Sequence, residues 1–263
     1  MKTCAEQLRL FLVAWQFLTR IPLGERVEQW VDWNPQRLRA SSRYFSLVGV
    51  VIGALAAVTF TAAVQLFDTT IAALITVAIT ALATGAFHED GFADYFDSFG
   101  GTDRVKALAI MKDSRIGTFG ALALGLLVLF KAAALSQMSI HIAVAALIAS
   151  HALGRAGACA LMRALDYVRE DDSAKSKPLA EKMSAGELFV ALCIGVMPLL
   201  FAVMSQWISL LHAIVTLTAV AMFVMLFARH LRVRLGGFTG DTLGAAEQAI
   251  ELIVLLALAS RNT

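Results

Sequence analysis

The sequence predicts an all-α fold: a polytopic integral membrane bundle of about six to seven transmembrane helices with an amphipathic helix at its N-terminus. Three observations carry this. Only 16% of the 263 residues are charged while 59% are hydrophobic, where soluble domains run near a quarter charged. Mean hydropathy is +0.73. From Tyr44 to Phe67 the chain carries no charge at all, and about 20 apolar residues suffice to cross the hydrocarbon core. A buried helix of a soluble protein would not recur as such stretches do here.

The elements follow in order. Leu8, Phe11, Trp15 and Leu18 share one helical face, with Glu6, Arg9, Gln16 and Arg20 on another. This suits a helix lying in the membrane interface or one packed on the bundle. Lys2 begins like a signal peptide, but Glu6 and Arg9 interrupt the apolar region and no small-residue cleavage site follows. Crossings are predicted near 44–67, 69–87, 117–136, 141–162, 188–205 and 207–228. A shorter apolar segment near 244–260 contains Glu247 and Glu251 close to its start. With no internal repeat and no low-complexity linker, residues 1–263 read as one domain.

Positive charge orients the bundle. Basic residues between Arg9 and Arg43 precede the first span, and Arg104, Lys106, Lys112 and Arg115 follow the second. Arg163, Arg169, Lys175, Lys177 and Lys182 follow the fourth, and Arg229, Arg232 and Arg234 the sixth. The turns near Asp68, Ser136 and Gln206 have neither Lys nor Arg. Basic loops stay on the cytoplasmic side, so a multi-pass protein with its N-terminus and large loops in the cytoplasm is expected. Lys131 and Arg261 break the pattern, and Lys131 is read as reaching toward the outer interface. The net charge of +2 gives no reason to expect a nucleic-acid partner. Cys4, Cys159 and Cys193 have neither disulfide nor zinc spacing and read as small apolar residues.

Candidate chemistry gathers in the cytoplasmic segments. The second span ends in Gly85-Ala86-Phe87-His88-Glu89-Asp90-Gly91-Phe92-Ala93-Asp94-Tyr95-Phe96-Asp97. Continued as a helix, Asp90, Asp94 and Asp97 fall at i, i+4 and i+7 and project from one face. Like charges there repel, and carboxylates near lipid lose hydration, so a divalent cation such as Mg²⁺ or Mn²⁺ is the natural counter-charge. A solvated acidic turn is the plainer alternative, but the acids alternate with Phe92, Ala93, Tyr95 and Phe96, which places them on a partly buried helix. Gly91 leaves room for close approach.

One short loop later comes Met111-Lys112-Asp113-Ser114-Arg115-Ile116-Gly117-Thr118. Arg115 offers a fork for phosphate oxygens, Lys112 a point charge, and Asp113 a further metal ligand. Gly236-Gly237-Phe238-Thr239-Gly240-Asp241-Thr242-Leu243-Gly244 precedes the last segment, and its amides could meet an anion at a helix N-terminus. Thr239 is a substrate-binding candidate, and Asp241 is either catalytic or an N-cap. Arg155, inside the fourth span, calls for phosphate or one of the acids as its partner. His88 is a candidate base or a bystander of the metal. Metal carboxylates beside phosphate-gripping cations point to phosphoryl-type transfer.

Together these segments resemble the cobalamin synthase family, the adenosylcobinamide-GDP ribazoletransferases. The matching pieces are Thr19-Arg20-Ile21-Pro22, His88 to Asp94, Met111 to Gly117 and Thr239 to Gly244, in the family's order and spacing over nearly the whole chain. The charged loop from Arg169 to Lys182 departs from glycine-rich versions in some members. The resemblance implies that a hydroxyl of α-ribazole or α-ribazole 5′-phosphate attacks the cobinamide-linked phosphate of adenosylcobinamide-GDP. GMP leaves, adenosylcobalamin or its 5′-phosphate forms, and Mg²⁺ is required. Substrates and membrane lipid are then the expected partners, alongside a homo-oligomer or other cobalamin-assembly enzymes. The resulting assignment makes Glu89, Asp90, Asp94, Asp97 and Asp113 metal ligands and His88, Asp94 and Asp241 catalytic. Lys112, Arg115, Arg155 and Thr239 bind substrate. Two rivals are a CDP-alcohol phosphotransferase, whose aspartate and Ala-Arg order is not found here, and a divalent-cation transporter, which needs polar groups at mid-bilayer in several spans.

Overall fold

Residues 3–168 and 182–260 are described in a computed structural model of the protein. Arg169, Lys175, Lys177 and Arg261 lie outside them. The described helices are α1 (Cys4–Leu18), α2 (Glu25–Val31), α3 (Pro35–Ser41), α4 (Phe45–Ala63), α5 (Thr69–Thr84), α6 (Phe87–Asp97), α7 (Arg104–Ile110), α8 (Thr118–Ser136), α9 (Ile140–Ala164), α10 (Ala185–Met204), α11 (Leu210–Arg234) and α12 (Gly240–Ala259). Six helical stretches are long and apolar enough to cross a membrane, or seven if the bent pair α5–α6 is one span. The expected crossings are therefore present. The last is a full 20-residue helix, so Glu247 and Glu251 lie well inside it rather than at its edge.

Polar residues at the turns fix where the spans begin. Asp68 accepts from the Thr70 and Ile71 amides, Ser139 from Ile142 and Ser209 from His212. Ser184 with Glu187, and Thr239 with Thr242, form reciprocal caps. Each satisfies amides that helix geometry leaves without partners. Short turns alternate the direction of successive spans, so the start of α4, the elbow after α5 and the starts of α8, α10 and α12 share one end of the bundle.

The packing centres on α9, whose most apolar 18-residue window is 83% buried, against 22% for α11 and 28% for α10. Thus α9 is the inner post, while α10 and α11 leave most of their surface unburied. Gly49 and Gly53 let α4 lie against it: a methyl at Gly53 would stand 2.6 Å from the Ile148 Cα, and one at Gly49 would run into the His151 carbonyl. Small residues four apart are the usual way for membrane helices to approach closely.

The N-terminal helix settles on the bundle. It buries Leu10, Val13, Ala14 and Leu18, while Leu8 is 51% exposed, so the buried face is rotated from the expected one. The Trp15 indole donates to the Ile21 carbonyl at 3.0 Å and anchors the chain that leaves the helix. The second span also differs from expectation: it stops at Thr84, and the acidic segment turns away from it by 95°.

Replacing Gly53 with Val should force α4 off α9 and cost about 1–3 kcal/mol, as overpacking does. Gly125 in α8 has open space around it, so Gly125→Ala should keep the unfolding midpoint or raise it slightly. Denaturation of the detergent-purified protein compares the two.

Candidate active site

The 95° turn is made by two successive left-handed residues, Gly85 at φ 69° and Ala86 at φ 54°. Glycine adopts this at little cost and alanine does not, so the packing beyond the turn must hold Ala86 there. Arg20 lies over the elbow: its amide donates to the Ala83 carbonyl at 2.8 Å, and its side chain fills the place where a Gly85 side chain would be. The residues gave Arg20 no role beyond the resemblance. Its place beside the acidic helix makes it a candidate anion ligand.

Beyond the elbow α6 crosses the start of α12 with glycine on both sides. A methyl at Gly91 would sit 2.9 Å from the Asp241 Cα, and one at Gly244 would sit 3.0 Å from the His88 carbonyl oxygen. The acidic helix and the Thr239–Gly244 segment, far apart in sequence, therefore meet face to face. Asp90 is exposed, Asp94 half-buried and Asp97 buried. Glu89 is half-buried, and its Oε2 is enclosed without a hydrogen bond.

The five expected metal ligands do not converge. Among the described residues no three His, Cys, Asp or Glu side chains gather around a point fit for an ion. Asp97 is held elsewhere, its two oxygens accepting from the Gly117 amide at 2.7 Å and the Gly120 amide at 2.8 Å. It closes the N-terminus of α8, where orphan amides and the helix dipole favour a carboxylate. Asp113 is gripped by Arg115, Nη2 to Oδ2 at 2.6 Å and Nε to Oδ1 at 3.0 Å. These bonds hold the Asp113 carboxyl below the usual carboxylate range. The expected ligand and the expected phosphate clamp are thus each other's partners, on a surface where Arg115 is 87% exposed. Lys112 is exposed beside them.

At the start of α12 the cap is Thr239, not Asp241. Thr239 is fully buried and accepts from the Thr242 amide at 3.2 Å, so its hydroxyl is structural where substrate contact was expected. Asp241 sits in the first turn, half-buried, with the Thr239 hydroxyl 3.4 Å away.

A second polar assembly lies deeper, and the sequence reading missed it. Arg155, 1% exposed, meets Glu247 Oε1 at 2.9 Å and Glu251 Oε1 at 3.6 Å. Of the two partners expected for it, it has acids, both from the last span. His151 Nδ1 stands 2.6 Å from Glu251, and His88 Nε2 stands 3.0 Å from Glu247. Lys131, expected to reach outward, is 7% exposed and donates to Glu251 and Gln248, both at 2.6 Å. Helical side chains lean toward the helix N-terminus, which in α8 points Lys131 into the bundle. Two cations thus meet two carboxylates. The signal was available: four intramembrane charges summing to zero, with Glu247/Glu251 and His151/Arg155 each four residues apart.

This fold defines a multi-pass membrane protein. The chain belongs to the cobalamin-5-phosphate synthase family, which it matches over residues 10–259. A protein of Shewanella frigidimarina named adenosylcobinamide-GDP ribazoletransferase is 41% identical over 256 residues, 96% of this chain and 94% of that one. A Shewanella amazonensis protein of the same name is 41% identical over 265 residues, covering 98% and 97%. No solved structure matches.

Asp97→Ala should remove the cap of α8 and cost about 0.5–2 kcal/mol of stability, read by thermal unfolding, with Asp97→Asn falling between it and the parent. Lys131→Met should be worse, about 3–5 kcal/mol, because it leaves two buried carboxylates, Glu247 and Glu251, sharing the Arg155 cation. Adding Glu251→Leu should recover most of that loss.

Proposed function

We propose that the chain is itself an adenosylcobinamide-GDP ribazoletransferase working at the cytoplasmic face of the membrane. It transfers the adenosylcobinamide phosphate of adenosylcobinamide-GDP to a hydroxyl of α-ribazole or α-ribazole 5′-phosphate. The new bond joins that hydroxyl oxygen to the cobinamide-linked phosphorus, and the bond broken is the one to the oxygen leaving with GMP. The observation that carries the reading is the α6–α12 crossing, where Gly91 meets Asp241. It joins two motifs that the sequence keeps about 150 residues apart and places acids of both at one end of the bundle.

The donor chemistry there suits Mg²⁺. Asp90 and Asp94 are hard oxygen donors one turn apart, Asp241 stands across the crossing, and Glu89 has an enclosed oxygen that makes no hydrogen bond. The ion is usually held by one or two carboxylates, with water and substrate phosphate completing its shell, so the lack of a three-residue cage among the described residues is no obstacle. When bound, Mg²⁺ would offset the charge of the diphosphate and of the departing GMP. The chain's own residues do the rest. Arg20 at the elbow and Lys112 and Arg115 on the neighbouring turn draw the diphosphate to the acidic helix. Arg115 must exchange Asp113 for phosphate, which costs little because both groups are exposed. The basic segments at this end of the bundle support its cytoplasmic placement, and the outer faces of α10 and α11 meet lipid.

The transporter reading keeps one observation in its favour. The Lys131–Glu251–Arg155–Glu247 assembly supplies the mid-bilayer polar groups such a protein requires. Yet every carboxylate in it already faces a cation, and membership of a synthase family weighs against it.

Purified protein in lipid nanodiscs should release GMP from adenosylcobinamide-GDP only when an acceptor and Mg²⁺ are both present. Asp94→Asn should lower turnover by about 100-fold or more, the scale of a lost metal contact, with the unfolding midpoint kept. No GMP release with either acceptor, together with divalent-ion uptake into vesicles, would reverse the assignment.

A further inference from the structure

Among the described residues the buried ion assembly meets the acidic helix at His88, at the end of α6 opposite a second polar tie. At the C-terminal end, Asp97 is held by the amides that open α8. At the N-terminal end, His88 Nε2 stands 3.0 Å from Glu247 Oε2, whose companion oxygen meets Arg155 at 2.9 Å. Asp90 and Asp94 lie between these two ties. The elbow cannot fix the roll of α6 itself, because Gly85 and Ala86 are both left-handed and alanine holds that state only under constraint. The His88 ring is buried against that of Phe87, with centroids 5.3 Å apart, but its packing is not complete. A cavity of about 30 Å³, lined by His88, Glu247 and the rings of Phe17, Phe45 and Phe87, leaves space beside it, enough for a water or two.

We propose that Glu247 is a positioning residue for the transfer reaction. Held by Arg155, it fixes His88 and with it the roll of α6, so that Asp90 and Asp94 face the substrate end of the crossing. The proposal rests on α6 being the catalytic helix, and it concerns only how that helix is aimed. Lys131 and Glu251 belong to the same assembly but do not touch α6, which makes them the internal control.

Full-length protein in nanodiscs tests this with two charge-neutral pairs, Arg155→Met/Glu247→Leu and Lys131→Met/Glu251→Leu. Amide hydrogen exchange across residues 87–97 should quicken at least about tenfold in the first pair and stay near parental in the second. Turnover in the first pair should fall about 10–100-fold, the usual effect of removing a group that orients a ligand, with KM for adenosylcobinamide-GDP much less changed. Arg155→Met/Glu247→Gln, which keeps an oxygen for His88, should restore most of both. If the leucine pair does not fold, His88→Phe interrogates the same tie from α6 and should quicken exchange in the same segment. Unchanged exchange over 87–97, equal losses in both pairs, or no rescue by Gln overturns the proposal. An absence of ribazoletransferase turnover in the parent sinks the functional reading instead, while exchange still decides the positioning role.

Discussion

Pairing of charge inside the bilayer is the constraint from which the rest of the structure follows. An unpaired ion in hydrocarbon costs several kcal/mol, and this chain places Lys131, Arg155, Glu247 and Glu251 within spans. Their spacing makes pairing possible. His151 and Arg155 on α9 face Glu251 and Glu247 on the oppositely running α12. One register satisfies all of them, and a slip by one turn, about 5.4 Å, would strand a carboxylate. Gly154 lets the helices close to that register, since a methyl there would come within 3.0 Å of the Glu247 side chain. The apolar contacts of the bundle are less selective, because lipid is as apolar as the side chains it replaces.

Once α9 and α12 are in register, the depth of the α12 N-terminus is set, and the site inherits it. Thr239 caps that terminus, Asp241 occupies its first turn, and Gly244 receives the acidic helix one turn further on. The chain then combines at α6 a left-handed alanine, a 95° bend and several acids at the edge of the apolar layer. Local rules fail together at this one place, which is where function is expected to override them.

Much of this was legible from the residues alone, for reasons that also explain what was missed. The spans announce themselves because lipid excludes charge over some 20 residues, and the motif segments fall at one end because the basic loops do. Side-chain destinations are another matter. Asp97 shares a helical face with Asp90 and Asp94, but spacing along one helix cannot reveal that the first turn of α8 docks on it. Lys131 reads as an outward-reaching lysine until the lean of helical side chains and the acids of α12 are considered together. The buried face of α1 is rotated because it packs on α3 and α4 as well as on lipid. Thr239 rather than Asp241 caps α12 because the Thr239 and Thr242 hydroxyls each accept the other's amide.

In the proposed reaction the α6 carboxylates bring a divalent ion to the diphosphate at the α12 crossing. Electron–nuclear double resonance on nanodisc-embedded protein with Mn²⁺ in place of Mg²⁺ addresses it directly. Adding adenosylcobinamide-GDP should produce phosphorus hyperfine coupling at the bound ion, and that coupling should vanish in Asp94→Asn. Manganese surrounded by water alone, with substrate present and α6 intact, would contradict the claim.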